Sequence, residues 1–183
     1  RGHQLGYRPK NNTFDAWKPA QFEQYIRDLA FFGANSIEIL PPRTDDELTN
    51  ALMPLSPMEM MTALGEIIAR YGLDVWLWYP NMGTDYADPA CIEAELAERA
   101  DVFARLGRLD HVFIPGGDPG NLVPDQLFDW AGKVAEVLRV HHPHARIWLS
   151  PQAFRPQSMW LEGFFAQVDE EPEWLGGIVF APW

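Results

Sequence analysis

"HVFIPGGDPG", residues 111–120, is an apolar strand-like run that stops in two glycines, an aspartate, a proline and a third glycine. A strand is stabilised by side chains packed on a pleated surface, and Gly-Gly followed by Asp-Pro-Gly offers almost none. The segment therefore gives up sheet stability to bring backbone close to something. Its one carboxylate, Asp118, falls just beyond the strand end.

Similar strand-like runs recur on both sides, at 2–7, 36–40, 74–79, 146–150 and 177–181, at a spacing of about 30 to 40 residues. Between them the apolar period changes to 3.6. Pro19 opens a helix whose Phe22, Tyr25, Ile26, Leu29 and Phe32 share one face before Gly33. Ser56-Pro57-Met58-Glu59 is a capping box ahead of Met60, Leu64, Ile67, Ile68 and Tyr71. Asp88 and Pro89 begin a third helix lined by Ile92, Leu96, Phe103 and Leu106, and a fourth follows Asp125 with Leu127, Ala131, Val134 and Leu138 inward. A fifth covers roughly 157–170.

Strict strand–helix alternation predicts an α/β fold with a parallel sheet and right-handed crossovers, either an open doubly wound sheet or a (βα)8 TIM barrel. The barrel is preferred because nearly every strand runs into a motif-bearing loop: Tyr7-Arg8-Pro9-Lys10, Pro41-Pro42-Arg43, Tyr79-Pro80-Asn81, Gly116-Gly117-Asp118, Ser150-Pro151-Gln152 and Pro182-Trp183. A dinucleotide-binding sheet would concentrate its signal in one glycine-rich turn. A complete barrel runs to about 250 residues. The 183 residues are therefore expected to be a single barrel domain, 1–183, cut after strand six and incomplete on its C-terminal side.

Composition excludes several classes of function. A formal net charge of -12 argues against nucleic acid as a partner, since phosphate-backbone binding requires a basic face. The single cysteine, Cys91, forms no internal disulfide, and no Cys/His spacing suits zinc, so neither a metal nor a cofactor is expected. No apolar run is long enough to span a bilayer, so no membrane partner is expected. The compartment is not legible.

Alternation along each strand sorts the side chains. On the second strand Ile37 and Ile39 suit the helices, leaving Ser36, Glu38 and Leu40 to face the barrel interior; on the other strands the interior residues are Gln4 and Arg8, Trp76 and Trp78, and Trp148, Ser150 and Gln152. Glu38, in mid-strand, must be paired or protonated, with Arg8 the candidate partner in a register-fixing ion pair. Asp118 sits between glycines that expose backbone amides, although Asp-Pro-Gly is also ordinary turn chemistry. Trp78 and Trp183, with Tyr79 beside them, offer flat surfaces for the C–H face of a sugar. Core packing accounts for Trp76, Trp130 and Trp148. Arg43 is a guanidinium fork suited to a ligand carboxylate, whereas Asp45, Asp46 and Glu47 lack the alternate spacing of a calcium loop.

Taken together, "RGHQLGYRPKNNTFDAW", "YIRDLAFFGANSIEILPPRTDD", "GLDVWLWYP", "VFIPGGDPG" and "WLSPQAF" resemble the barrel domain of bacterial glycoside hydrolases related to the family 67 α-glucuronidases and, more distantly, to the family 20 hexosaminidases. The resemblance spans nearly the whole chain and implies a carbohydrate substrate met by carboxylates at the strand C-termini. It also implies that the rest of the barrel and accessory domains lie in a parent chain. Family 20 enzymes end their fourth strand in Gly-Gly-Asp-Glu; Asp118 matches the aspartate, but Pro119 stands in place of the glutamate and has no proton to give.

The leading expectation is a glycoside hydrolase, the 183-residue piece itself inactive, with Asp118 as general acid or substrate-orienting carboxylate and Glu38 as a second carboxylate. Trp78, Tyr79, Gln152 and Trp183 would shape the sugar subsite, and Arg8 or Arg43 would read a uronate. The runner-up is a carbohydrate-binding barrel without chemistry. A sugar isomerase or aldolase is third, because no His/Asp/Glu cluster converges at the strand ends and no lysine lies within a strand.

Overall fold

The computed structural model of the chain describes residues 1–6, 16–45, 51–116, 122–151 and 158–180. In chain order the elements are β1 (Gly2–Gln4), α1 (Pro19–Phe31), β2 (Ser36–Ile39), α2 (Pro57–Arg70), β3 (Asp74–Trp78), α3 (Pro89–Arg105), β4 (His111–Pro115), α4 (Pro124–His141), β5 (Arg146–Ser150), α5 (Met159–Asp169) and β6 (Leu175–Ile178). Six parallel strands alternating with helices are the βα repeat of a TIM barrel. The chain divides into two units, Arg1–Trp78 with Val102–Asp110 and Tyr79–Asp101 with His111–Trp183. α3 contributes to both.

In the first unit β1, β2 and β3 pair in parallel, with Gln4 beside Glu38 and Glu38 beside Trp76. α2 packs on β2 and β3, and α1 packs on α2. The reason is in the strand faces: Ile37, Ile39, Val75 and Leu77 are fully buried, as are Phe22 and Ile26 of α1 and Met61, Leu64 and Ile68 of α2. Each of these residues removes its apolar surface from water, worth about 1.5–3 kcal/mol per large side chain. The capping box at Ser56 forms as expected: the Glu59 amide donates to Ser56 Oγ at 3.4 Å, and the Ser56 amide donates to the Glu59 carboxylate at 3.0 Å.

In the second unit β4, β5 and β6 pair in parallel, with α4 against both β5 and α5. Leu127, Ala131, Val134 and Leu138 of α4 are buried, as are Val112, Ile114, Ile147 and Leu149 of the strands. Asp88 Oδ1 accepts from the Ala90 amide at 3.0 Å at the start of α3, and Ser158 Oγ accepts from the Leu161 amide at 3.2 Å, starting α5 at Met159.

Several elements differ from the sequence expectation. β6 runs over Leu175–Ile178, whereas 177–181 was expected. Its register against β5 shifts between Ile147 and Trp148, so that Leu175 opposes Ile147 and Gly177 opposes Trp148, leaving Gly176 as a bulge. The Trp148 indole covers this pair so closely that a Cβ on Gly177 would lie 2.4 Å from the ring, and one on Gly176 2.6 Å from Nε1. Gly176-Gly177 is strand backbone beneath an indole. Trp76 and Trp148 are half-buried on the face away from the helices and do not lie in the apolar core; Trp148 Nε1 donates to His111 Nδ1 at 3.0 Å. Phe32 is 80% exposed because α1 ends at Phe31, before the stripe reaches it. β1 is three residues long, although the Leu5 amide still donates to the Glu38 carbonyl at 2.7 Å.

Gly116, the first glycine of the opening motif, stands where β4 meets β5. Its amide donates to the Ser150 carbonyl at 2.9 Å, and an added Cβ would lie 2.5 Å from that same oxygen and 3.0 Å from Leu127. What this backbone approaches is the neighbouring strand. Gly116→Ala should lower stability by about 1–3 kcal/mol, the usual cost of forcing atoms into a filled site. Gly107→Ala, where an added Cβ meets nothing within 4 Å, should change it little. Urea unfolding midpoints of the two variants check this.

Candidate functional site

The first unit places Gln4, Glu38 and Trp76 in one row across β1, β2 and β3, on the face opposite the buried isoleucines. Glu38 is half-buried, and Gln4 Nε2 donates to its Oε1 at 2.7 Å. Removal from water pushes its carboxyl from 4.5 up to about 7, the Gln4 hydrogen bond acting in the opposite direction. The candidate ion-pair partner of Glu38, Arg8, lies outside the described residues. A carboxyl raised in this way can give or take a proton near neutrality. Trp78, two residues beyond Trp76, is half-buried on the same face, and Arg43, after Pro41-Pro42, is half-buried beyond the end of β2.

Asp118, Arg8, Gln152 and Trp183 lie outside the described residues. Tyr79 is fully buried. Its hydroxyl donates to Glu98 Oε1 at 2.9 Å, and the Arg99 guanidinium lies 4.3 Å from its ring centre. Ring and hydroxyl are thus both engaged by α3, so that alternation sends Trp78 and Tyr79 into different surroundings.

Around Tyr79 the second unit contains a polar cluster that sequence reasoning missed. Arg99 is fully buried and Glu95 nearly so. Arg99 Nη1 donates to Glu95 Oε2 at 2.6 Å and Nη2 to the Pro80 carbonyl at 2.9 Å, and the guanidinium also lies 4.7 Å from the Trp130 ring centre. An Arg close to two aromatic rings gains cation–π attraction that grows when water is excluded. Buried Asn81 donates to the Pro115 carbonyl at 3.1 Å and accepts from Trp130 Nε1 at 2.9 Å. Tyr86 packs 4.8 Å from Trp130, and its phenol is pushed up to about 12, mainly by burial. These bonds fasten the segment after Trp78 to the last residue of β4, immediately before Gly116. The signal was present in the helical period: Glu95 and Arg99 fall on the same face of α3 as Phe103 and Leu106.

Among the described residues no group of three or more His, Cys, Asp or Glu is placed to hold a metal ion, and no helix is long and apolar enough to cross a membrane.

No family model and no curated protein matches the sequence. The structure is similar to solved barrels at low identity. The GH5_18 protein of Streptomyces cattleya in complex with GlcNAc has a TM-score of 0.57 and 14% identity over 81% of this chain and 44% of its own. The exo-β-1,4-mannosidase of Opitutaceae bacterium strain TAV5 has a TM-score of 0.56 and 17% identity over 81% of this chain and 31% of its own. The Y628A carboxyl transferase domain of Rhizobium etli pyruvate carboxylase, with pyruvate, has a TM-score of 0.62 and 13% identity over 98% of this chain and 26% of its own. This chain thus spans less than half of each. The likeness defines the class, a TIM-barrel fold of the kind found in glycoside hydrolases and shared with a carboxyl transferase. At such identities fold alone carries over.

Arg99→Met should destabilise by about 3–5 kcal/mol, because Glu95 is left as a buried charge without its partner. Adding Glu95→Leu should recover most of the loss, since the second charge is then removed as well. Chemical denaturation of the two variants measures both.

Proposed function

We propose that the chain is part of a carbohydrate-active barrel domain, related to the bacterial family 67 α-glucuronidase group, that hydrolyses glycosides with Glu38 as a proton-transferring carboxylate. The observation that carries this reading is the state of Glu38: half-buried, held by Gln4, beside Trp76, with its carboxyl raised to about 7. A carboxyl protonated near neutrality on an aromatic-lined face suits protonation of a leaving-group oxygen, and the indoles of Trp76 and Trp78 suit the C–H face of a pyranose. Asp118 supplies the second carboxylate from the loop after β4, Arg43 or Arg8 reads a uronate carboxylate, and Gln152 and Trp183 complete the subsite. Tyr79, fully buried, serves by fastening its own segment to α3. Pro119, following Asp118, favours a second reading in which the barrel binds saccharide without cleaving it.

In this reading the pH dependence has a definite sign. The stability contributed by the neutral Glu38 carboxyl is fully present below its ordinary value of 4.5 and is lost as pH rises through about 7. Wild type should therefore lose stability between pH 5 and 8 relative to Glu38→Gln, which stays neutral throughout. In the complete barrel, aryl-glycoside turnover should fall as pH rises through about 7, and Glu38→Gln should lower kcat by about 10² to 10⁴. Saccharide binding without turnover by the complete barrel would select the binding-only reading. Turnover unchanged in Glu38→Gln would remove Glu38 from the chemistry.

Asp118→Asn keeps size but not proton transfer. It should reduce turnover by a comparable factor, about 10² or more, while leaving the melting temperature nearly unchanged. Loss of activity only through unfolding would mark the aspartate as a turn residue.

A further inference from the structure

A cleft of about 530 Å³ opens in the second unit between the C-terminal half of α4 and the residues that lead into β5 and β6, lined chiefly by Ala135, Arg139, Pro143, Arg146, Glu173 and Trp174. Arg146 is the first residue of β5 and Trp174 immediately precedes β6. The cleft therefore lies at the N-terminal ends of these strands, whereas TIM-barrel chemistry occupies the C-terminal ends.

Two of its side chains are held in place. The Trp174 ring packs 5.8 Å from Phe128 at 55°, and its Nε1 passes over Gly132, 3.5 Å from the position a Cβ would take. Arg146 Nη1 donates to the Glu173 carbonyl, which anchors one arm of the fork and leaves the others directed elsewhere. Arg139, exposed in the last turn of α4, is favoured there by the helix dipole. Among the described residues neither Arg139 nor Arg146 is ion-paired with a carboxylate, although the chain carries 26 acidic residues against 14 Lys and Arg. Two guanidiniums without a partner carboxylate among the described residues thus line one cleft beside an indole packed on Phe128.

We propose that this cleft binds a hydroxylated ring compound carrying a carboxylate. Arg139 and Arg146 take the carboxylate, for which the guanidinium fork is matched in shape and charge. Trp174 stacks on the ring. The Glu173 carboxylate, which lines the same cleft and is not ion-paired with either arginine, accepts from ring hydroxyls. A simple anion would leave the indole and Glu173 unused, and a neutral sugar would leave both guanidiniums unused. The proposal does not rest on the glycosidase reading, because the cleft shares no residue with the Glu38 row.

The test is calorimetric and NMR titration of the 183-residue chain with glucuronate, with glucose and acetate as controls. The Trp174 indole N–H signal, assigned by its absence in Trp174→Leu, should shift saturably with glucuronate. Arg139→Gln and Arg146→Gln should each weaken binding about tenfold or more, the size expected for losing one charge-assisted hydrogen bond. Arg139 is exposed, so its variant should keep the wild-type circular dichroism and melting temperature. Arg43→Met should leave this titration unchanged. Equal binding of glucuronate with either glucose or acetate would overturn the proposal, as would a Trp174 signal that never moves or affinity unaffected by Arg139→Gln. Glucuronate binding abolished only by Arg43→Met would place the sugar acid on the Glu38 face and overturn this cleft alone. Binding here with no glycoside turnover would support the cleft and leave the glycosidase reading to its own test.

Discussion

A strand has two faces, and a parallel neighbour reached through a helix leaves that helix lying over one of them. The consequences run through both units. Ile37, Ile39, Val75, Leu77, Val112, Ile114, Ile147 and Leu149 are fully buried, because each points toward the helix side of its strand. The residues between them are assigned by the same alternation to the opposite face. Ser36, Glu38, Trp76, Trp78 and Trp148 are all half-buried there. The apolar face supplies the stability, and in doing so it determines which polar and aromatic groups are available for chemistry.

Glu38 shows how the two faces interact energetically. Its neighbours along the chain are held beneath α2, so the carboxylate cannot turn away without disturbing the strand. Among the described residues it is met by a hydrogen bond from Gln4, and burial raises its carboxyl to about 7. Arg99 resolves a similar problem differently. Deep in the second unit its charge is met by Glu95, by the Pro80 carbonyl and by two ring faces. Desolvation costs both charges heavily, and the close geometry offsets that cost only while every partner is present. This makes Arg99 a fastening for the backbone at Pro80, next to Asn81, which donates to the Pro115 carbonyl.

The positive groups of the molecule are divided in the same way. Arg99 is consumed internally, and Arg108 is shared between Asp74 and Asp110 at 2.9 and 2.8 Å. Arg139 and Arg146 face a cleft with an ordered tryptophan instead. A net charge of -12 therefore does not exclude local affinity for an anion, since what a ligand meets at contact distance is the nearest guanidinium rather than the sum.

The alternation of strands and helices, their parallel direction and most of their boundaries were legible in the sequence, because apolar period, capping boxes and N1 prolines act within a few residues of one another. That Glu38 lies on the strand face opposite Ile37 and Ile39 was legible for the same reason: it follows from the parity of "SIEI". The buried roles of Tyr79 and Arg99 were not. An arginine on a helix reads as solvated until two rings and a carbonyl from other segments close around it. Gly176 lies outside the expected strand 177–181 until the register against β5 makes it a bulge beneath the Trp148 indole, and Gly116 reads as room for a ligand until the Ser150 carbonyl fills that space. In each case the deciding contact comes from a segment 19 or more residues away. Local pattern specified which face each side chain takes, and only the tertiary structure decided what it meets there.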